Sequence, residues 1–481
     1  MKEISKEAMN FRSHNFDTTR ATPYAVTTFI LLLCAISTAS ANVGEVFGFG
    51  SKIRSLGGAG VAGGADPFSA YHNPAALGMG TDKRLLFSYG LVSMTPSFLP
   101  ISNVVTSNSF IGDNVAGSPT SGNIDMTSYR PTFGQEVGFS YQLFPDTYKL
   151  TLGIATFLPL SQLAYMDTGE AYQPEYVLYR SRTQRPQIDM GVGADLGRGV
   201  HVGLGLNFAF SLTADATVFI NTKSNSASSM KFASSVKPKI SPFLGFLYTP
   251  PESSAYTLGA VVRFPAVSDA TMTLKSAARA MGPLGALDFN FMANSAIYYD
   301  PWTLELGGSL EHFGFGRFYA QIDYQVWNQF QPPALLVNQP DVSSPPSTVL
   351  APGSVPALPL LNVVIPRIGE EITLSDVATI RAGYAYRPSF LATPPNGAGN
   401  YLDPPKHMAS LGLGLKYKHF LIFETATLLD FNLSYHVLVT QHITKTTGNE
   451  AADLTDSKIG SPGYDAGGNI YGGGVTLSLA F

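Results

Sequence analysis

The sequence predicts an all-β fold: a 14-stranded antiparallel transmembrane β-barrel with an N-terminal hatch plugging its lumen. Three observations carry this expectation. The chain ends Tyr471-Gly-Gly-Gly-Val475-Thr-Leu477-Ser-Leu479-Ala-Phe481, so Val475, Leu477, Leu479 and Phe481 share one strand face and small or polar residues share the other. A last strand of this kind with a terminal aromatic is usual in bacterial outer-membrane barrels. Second, two-residue alternation of apolar with polar or glycine residues recurs from Arg84 onward, as in Val200–Leu212 and Phe431–Val439. That is the lipid-out, lumen-in pattern of a membrane barrel. Third, short connections alternate with long ones, as short periplasmic turns alternate with long outer loops.

Taken in order, residues 1–41 read as a signal peptide. Lys2, Lys6, Arg12 and Arg20 precede an apolar run from Ala25 to Ile36, followed by Ala39-Ser40-Ala41 as a cleavage site. That run is too short to cross a bilayer, which takes about 20 residues. The charged stretch is long for a signal, so either Met1 or Met9 is the start. Cys34, the one cysteine, lies within the leader, and Leu33 before it disfavours lipidation. The exported chain is then expected to carry no disulfide and no cysteine metal site.

Residues 42–83 do not alternate. They hold ten glycines, then Asp66-Pro67 and Asn73-Pro74-Ala75, a composition suited to a compact segment of tight turns. Gly58-Ala-Gly60-Val-Ala-Gly63 matches a dinucleotide fingerprint in letters alone, without a preceding hydrophobic strand. The barrel occupies 84–481. Its strands are expected near 84–92, 134–143, 148–158, 185–196, 200–221, 232–249, 255–275, 289–311, 316–330, 362–374, 377–390, 407–417, 425–444 and 469–481. Long loops fall at 93–133, 159–184, 331–361 and 445–468, the third rich in proline.

Charged residues make up 13% of the chain and its net charge is −4, so a basic nucleic-acid surface is not expected. No G-x-S-x-G elbow or metal-ligand spacing occurs, so neither an enzyme nor a cofactor is expected, although Ser410 or Ser434 with His436 could supply hydrolase parts. Alternation assigns Asp189, Arg263, Glu305, Asp323, Arg367, Glu371, Arg381, Asp430 and His436 to the lumen. On the lipid face an Arg would cost roughly 2–4 kcal/mol at the midplane. These charges either brace the hatch as ion pairs, or Arg263 and Arg381 bind a carboxylate. Trp327 lies on the lumenal parity near the outer rim, where it lines a pocket or joins the aromatic girdle. Phe98, Leu99, Leu160 and Leu163 would form a greasy groove in the outer loops.

The glycine-rich N-terminal segment, Asn73-Pro74-Ala75, Tyr324-Gln-Val-Trp327, Ile380-Arg-Ala-Gly-Tyr-Ala-Tyr386 and the terminal Phe481 together resemble the FadL/TodX family over essentially the whole exported chain. These are outer-membrane transporters of long-chain fatty acids and aromatic hydrocarbons. The resemblance implies passive transport of a hydrophobic small molecule or fatty acid, with Asn73, Pro74 and Ala75 beside a lateral opening. The opening would be made by a kink in the third strand, at Gly153 or Pro159. It further implies a monomer among outer-membrane lipids, with Phe481 read by the barrel-assembly machinery. The alternative is a barrel of the same kind acting as a surface platform for exported proteins.

Overall fold

The computed structural model describes residues 48–81, 83–106, 120–124, 129–144, 149–161, 175–179, 185–221, 229–251, 255–279, 287–330, 334–338, 358–393, 401–418, 425–445, 458–459 and 462–481. The expected leader, the first residues of the hatch and Leu163 lie outside them.

The wall is a closed barrel of fourteen antiparallel strands. It begins with β1 (Leu85–Phe98), which continues into the outer-loop strands β2 (Ile101–Thr106) and β3 (Thr120–Ile124). Next come β4 (Thr132–Phe144), β5 (Leu150–Pro159), the two-residue loop strand β6 (Glu175–Tyr176), β7 (Gln187–Asp195), β8 (Val200–Asn221) and β9 (Ser229–Tyr248). The seventh wall strand is split into β10 (Tyr256–Arg263) and β11 (Ala266–Arg279), and the eighth into β12 (Leu287–Asp300) and β13 (Trp302–His312). Then follow β14 (Gly316–Val326), the accessory β15 (Ala334–Asn338), β16 (Val363–Thr373), β17 (Ala378–Arg387), the loop strand β18 (Tyr401–Leu402) and β19 (Lys406–Tyr417). The last are β20 (Ala426–Thr444), the loop strand β21 (Lys458–Ile459) and β22 (Gly463–Ala480).

β22 pairs with β20 on one edge and β1 on the other, from Leu86↔Ala480 to Phe98↔Gly468. The Phe481 amide donates to the Leu85 carbonyl at 2.9 Å, so the last residue completes the closing seam. Each expected strand has its counterpart. β1 and β22 run farther outward than alternation suggested, and two strands are broken at Phe264–Pro265 and at Pro301.

Alternation sorts the two faces as expected. Leu411 and Leu433 are 63% and 69% exposed on the outside, in the company of Leu244, Phe246, Ile322, Val364 and Ile368. An apolar surface this wide has lipid as its natural solvent. Nearer the outer rim, the Tyr324, Tyr384 and Tyr435 hydroxyls bond Asn362, His407 and Asn469 at 2.7–2.9 Å. An aromatic body with a polar tip suits the headgroup level. At the opposite end the connections are short. In the turn after β7, the Gly197 amide donates to the Asp195 carboxylate at 2.8 Å. Gly199 there has φ +78, and a Cβ on it would fall 1.8 Å from the Thr249 carbonyl oxygen, so only glycine fits.

The hatch folds into α1 (Ser51–Ser55), α2 (Ser69–His72) and a 3-10 turn (Pro74–Met79). It seats against inward-facing glycines. A Cβ on Gly203 would lie 2.3 Å from the Ala75 nitrogen, and one on Gly383 2.0 Å from the Gly57 nitrogen. Register places several of these glycines side by side: Gly153↔Gly191↔Gly205, Gly193↔Gly203↔Gly245, Gly259↔Gly307 and Gly369↔Gly383. The wall is thus pared to bare backbone where the hatch backbone passes.

Candidate transport path

The motif Asn73-Pro74-Ala75 closes the hatch onto the wall. The Asn73 side-chain oxygen accepts from the Ala75 amide at 3.0 Å and caps the 3-10 turn, and Pro74 supplies a preset φ at its first position. The Asn73 amide donates to the Val61 carbonyl at 2.8 Å and to the Phe246 carbonyl of β9 at 3.0 Å. Ala75 is fully buried against Gly203 and Gly245. One side chain therefore joins two hatch turns to the wall.

The lumenal charges are paired. Arg263 bonds Glu305 at 2.5 Å and donates to the Tyr71 and His72 carbonyls of the hatch at 2.6 and 3.2 Å. Its guanidinium also lies over the Tyr71 and Phe243 rings, 4.4 and 4.7 Å from their centroids. Arg381 bonds Glu371 and Asp430, each at 2.5 Å. Arg367 bonds Asp323 at 2.7 Å and the Gly57 carbonyl at 3.0 Å. Arg54 of the hatch pairs with Glu136 of β4, both fully buried. The geometry makes Arg263 and Arg381 hatch and wall braces, with their charge already met by carboxylates. Asp189 accepts from Gln187 and Asn207 at 2.6 and 2.8 Å, and His436 is buried on the lumenal side.

In the hatch, the His72 ring donates from Nε2 to the Phe49 carbonyl at 2.9 Å, which fixes its tautomer. Burial is the largest influence on this imidazole and pushes its pKa down to about 3, despite that bond. Ser410 donates to the Ser55 carbonyl at 3.1 Å and accepts from the Gly57 amide at 3.2 Å. Its hydroxyl is thus a hatch contact.

Above the hatch an apolar column fills the barrel's outer half. It runs from Tyr176, Tyr179, Trp327 and Phe390 among the outer loops down to Phe49, Phe68, Tyr71 and Leu77 of the hatch. Trp327 is fully buried, stacked on Phe390 at 4.4 Å, with its indole N–H donating to Gln325 at 2.9 Å. It lines the interior and takes no part in the girdle. Phe98 stacks on Tyr176 at 4.1 Å, and the Leu99 amide donates to the Gly467 carbonyl at 3.0 Å. Leu160 is 49% exposed and stands outside the column.

Tyr176, which sequence reasoning missed, fixes the loop over this column. Its hydroxyl accepts from the Gly467 amide at 2.7 Å and donates to the Gly467 carbonyl at 3.0 Å, at a bulge where β20 and β22 shift register. Burial pushes the Tyr176 and Tyr179 phenols up, so both remain protonated. No local pattern marks Tyr176 in the sequence, since its partners are 291 positions away.

The third wall strand carries no break at either expected residue. β5 pairs with β4 through Gly134↔Pro159 and with β7 from Thr151↔Gly193 to Phe157↔Gln187. Gly153 faces the hatch, and a Cβ on it would lie 2.8 Å from Leu77. Pro159 simply ends the strand, as an imino residue without an N–H can. The wall changes strand partners elsewhere. β9 and β10 pair from Leu258↔Tyr248 only to Arg263↔Phe243, and beyond that β11 lies parallel against the other edge of β8. Next to this divergence, between hatch and wall, is a cavity of about 60 Å³ bordered by Tyr71, His72, Phe243, Arg263, Phe264 and Glu305. The sequence carried a signal for the two breaks, since Pro265 and Pro301 interrupt neighbouring strands, while β9 runs unbroken through Pro242.

No known family profile matches the chain. It is 22% identical over 304 residues to alkane uptake protein A of Marinobacter nauticus, an alignment covering 61% of this chain and 63% of that one. The match therefore spans less than two thirds of the relative. Among solved structures, a Pseudomonas aeruginosa FadL homologue superposes with a TM-score of 0.54 at 12% identity, covering 92% of this chain and 98% of that one. The P. putida toluene transporter TodX superposes with a TM-score of 0.51 at 14% identity, covering 90% and 99%. With its apolar outer wall, closed barrel and internal hatch, the chain has the β-barrel fold of these FadL-like and TodX structures.

Proposed function

We propose that the protein carries hydrophobic small molecules, long-chain fatty acids or aliphatic or aromatic hydrocarbons, across the outer membrane by passive diffusion through the plugged barrel and out through its side. The observation that carries this reading is the apolar column within an otherwise charged lumen. Apolar solutes partition poorly into a water-filled pore, so a greasy internal path gives them a route that an open porin does not. The hatch beneath it, held by Asn73, Arg263 and Ser410, bars straight passage into the aqueous space below. The likeness to an alkane uptake protein supports the same reading.

The deciding experiment compares uptake of hexadecane, oleate and toluene in cells lacking their own hydrophobic-uptake barrels, with and without this chain. Accelerated uptake of at least one probe is expected. Equal uptake of all three with and without the chain would reject the transport reading. A purified barrel without any retained lipid or detergent would favour the surface-platform alternative.

A further inference from the structure

We propose that the stacked pair Trp327–Phe390 is the gate of the apolar column, with Phe390 as its moving leaf and Asp403 as the positioning residue that fixes the hinge. The proposal rests on the transport reading above and specifies what must move for a solute to pass.

The column is closed by its own rings. Tyr176, Trp327 and Phe390 are fully buried, so nothing enters between them unless a side chain turns. Two of the three are tied by polar atoms: Tyr176 through its hydroxyl to Gly467, and Trp327 through its indole N–H to Gln325 at 2.9 Å. A phenyl ring has no atom for such a tie, so ring contacts hold Phe390. It lies flat on Trp327, with 4.4 Å between centroids and 11° between planes, and Phe330 stands edge-on to both rings at 6.1 and 6.0 Å. A stack of this kind adds only modestly to the burial of its rings, so an apolar solute can take the place of either face.

The hinge is built from the backbone. Phe390 stands in the loop between β17 and β18, and its amide donates to Asp403 at 2.8 Å while its carbonyl accepts from the Leu361 amide at 2.7 Å. Asp403, itself buried, also takes Nη1 of Arg387 through both oxygens at 2.9 Å. That bond sets the guanidinium over the Trp327 and Phe390 rings, 5.6 and 5.5 Å from their centroids. One carboxylate thus positions the backbone of the leaf and the cation that faces both rings. With its backbone pinned and its ring untied, Phe390 turns at its side-chain torsions while the loop stays in place. A void of about 10 Å³ bordered by Gln325, Arg387, Leu178, Ile365 and Met408 adjoins the residues that hold the pair. It gives the ring slack to begin that turn, and the unbranched Met408 adapts to the rest.

The test uses the full chain with Trp302→Phe, which leaves Trp327 as the one tryptophan. Bromine quenches tryptophan on contact, so 1-bromohexadecane added to the purified barrel should strongly quench Trp327. Undiminished emission while hexadecane is taken up puts the path elsewhere and overturns the gate. Phe390→Leu keeps the place apolar but removes the ring, and uptake should rise roughly two- to tenfold, the span that a lost stack implies. Uptake at or below the unaltered rate, in a barrel that still shows heat-modifiable migration, overturns Phe390 as the closing leaf. Asp403→Asn should also speed uptake, and its effect should vanish in the Phe390→Leu background, where no ring is left to position. Additive effects would reduce Asp403 to a loop fastener and overturn its part. Leu360 and Leu391 face each other across an isolated antiparallel bridge, within disulfide reach. A disulfide from Leu360→Cys with Leu391→Cys pins the loop, and uptake should be the same before and after reduction. A roughly tenfold fall on oxidation would show that the whole loop must lift, and so overturn the turning ring. Absent uptake in the unaltered chain rejects the transport reading, and quenching of Trp327 then decides by itself whether an alkyl chain reaches the pair.

Discussion

At the residue scale the lumenal charges work as fasteners. Arg263 ties wall strand β10 to β13 through Glu305 and to the hatch through two backbone carbonyls. Arg263→Met should therefore leave Glu305 buried without its cation, destabilising by about 3–5 kcal/mol. The loss should appear as a lower transition temperature for hatch release and raised single-channel conductance. His72 gives the hatch a pH dependence of definite sign. Its folded pKa is depressed to about 3 from an ordinary value of 6.5. The dislodged form takes up a proton below pH 6.5 that the seated form refuses until near pH 3, so seating weakens as pH falls through that window. Conductance in planar bilayers should rise on acidification, and His72→Gln, which stays neutral, should flatten that portion of the profile. An identical acid response in His72→Gln would remove the imidazole from the explanation.

At the scale of elements, hatch and wall are matched through glycines. Gly203 lies under Pro74 and Ala75, where a side chain would meet backbone that cannot move aside. Gly203→Val should leave β8 paired, since β-branched residues suit strands, but displace the 3-10 turn. Limited proteolysis should then cut within the hatch, while the barrel band keeps its heat-modifiable migration in gels. Deleting the hatch through Thr81 should likewise leave a folded barrel, because the strands satisfy their own backbone. Ion conductance should increase and selectivity for hydrophobic probes should be lost. A barrel that fails to insert without its hatch would show that α1 and the 3-10 turn are needed for assembly.

At the scale of the molecule, short turns gather at one end and long connections at the other, which sets the orientation. Tags within 93–133 and 331–361 should be reachable on intact cells, and tags at Ser375-Asp376 only after the outer membrane is permeabilised. The closing seam depends on Phe481, whose amide and carbonyl both bond Leu85. Deleting Phe481 should reduce inserted barrel sharply without affecting export across the inner membrane, as measured by the fraction of heat-modifiable protein.

The sequence by itself determined the barrel, its strand number, the sorting of charges to the lumen and the presence of a glycine-rich plug. Each of these follows from local regularities, since alternation of two and turn composition are properties of neighbouring residues. The Asn73 motif was legible for the same reason: a cap and its proline are adjacent. Tertiary structure decided what depends on partners far apart in the chain. It set Gly153 against Leu77 and Ala70 of the hatch. It enclosed Trp327, where sequence parity left a girdle position equally open, and it made Arg263 and Arg381 braces by bringing Glu305, Glu371 and Asp430 within 2.5 Å. It also placed Tyr176 against Gly467 and aligned Pro242, Pro265 and Pro301 at one level of the wall. A proline's effect on its own strand can be read from sequence, but that the breaks at Pro265 and Pro301 fall side by side appears only once register fixes which residues stand together.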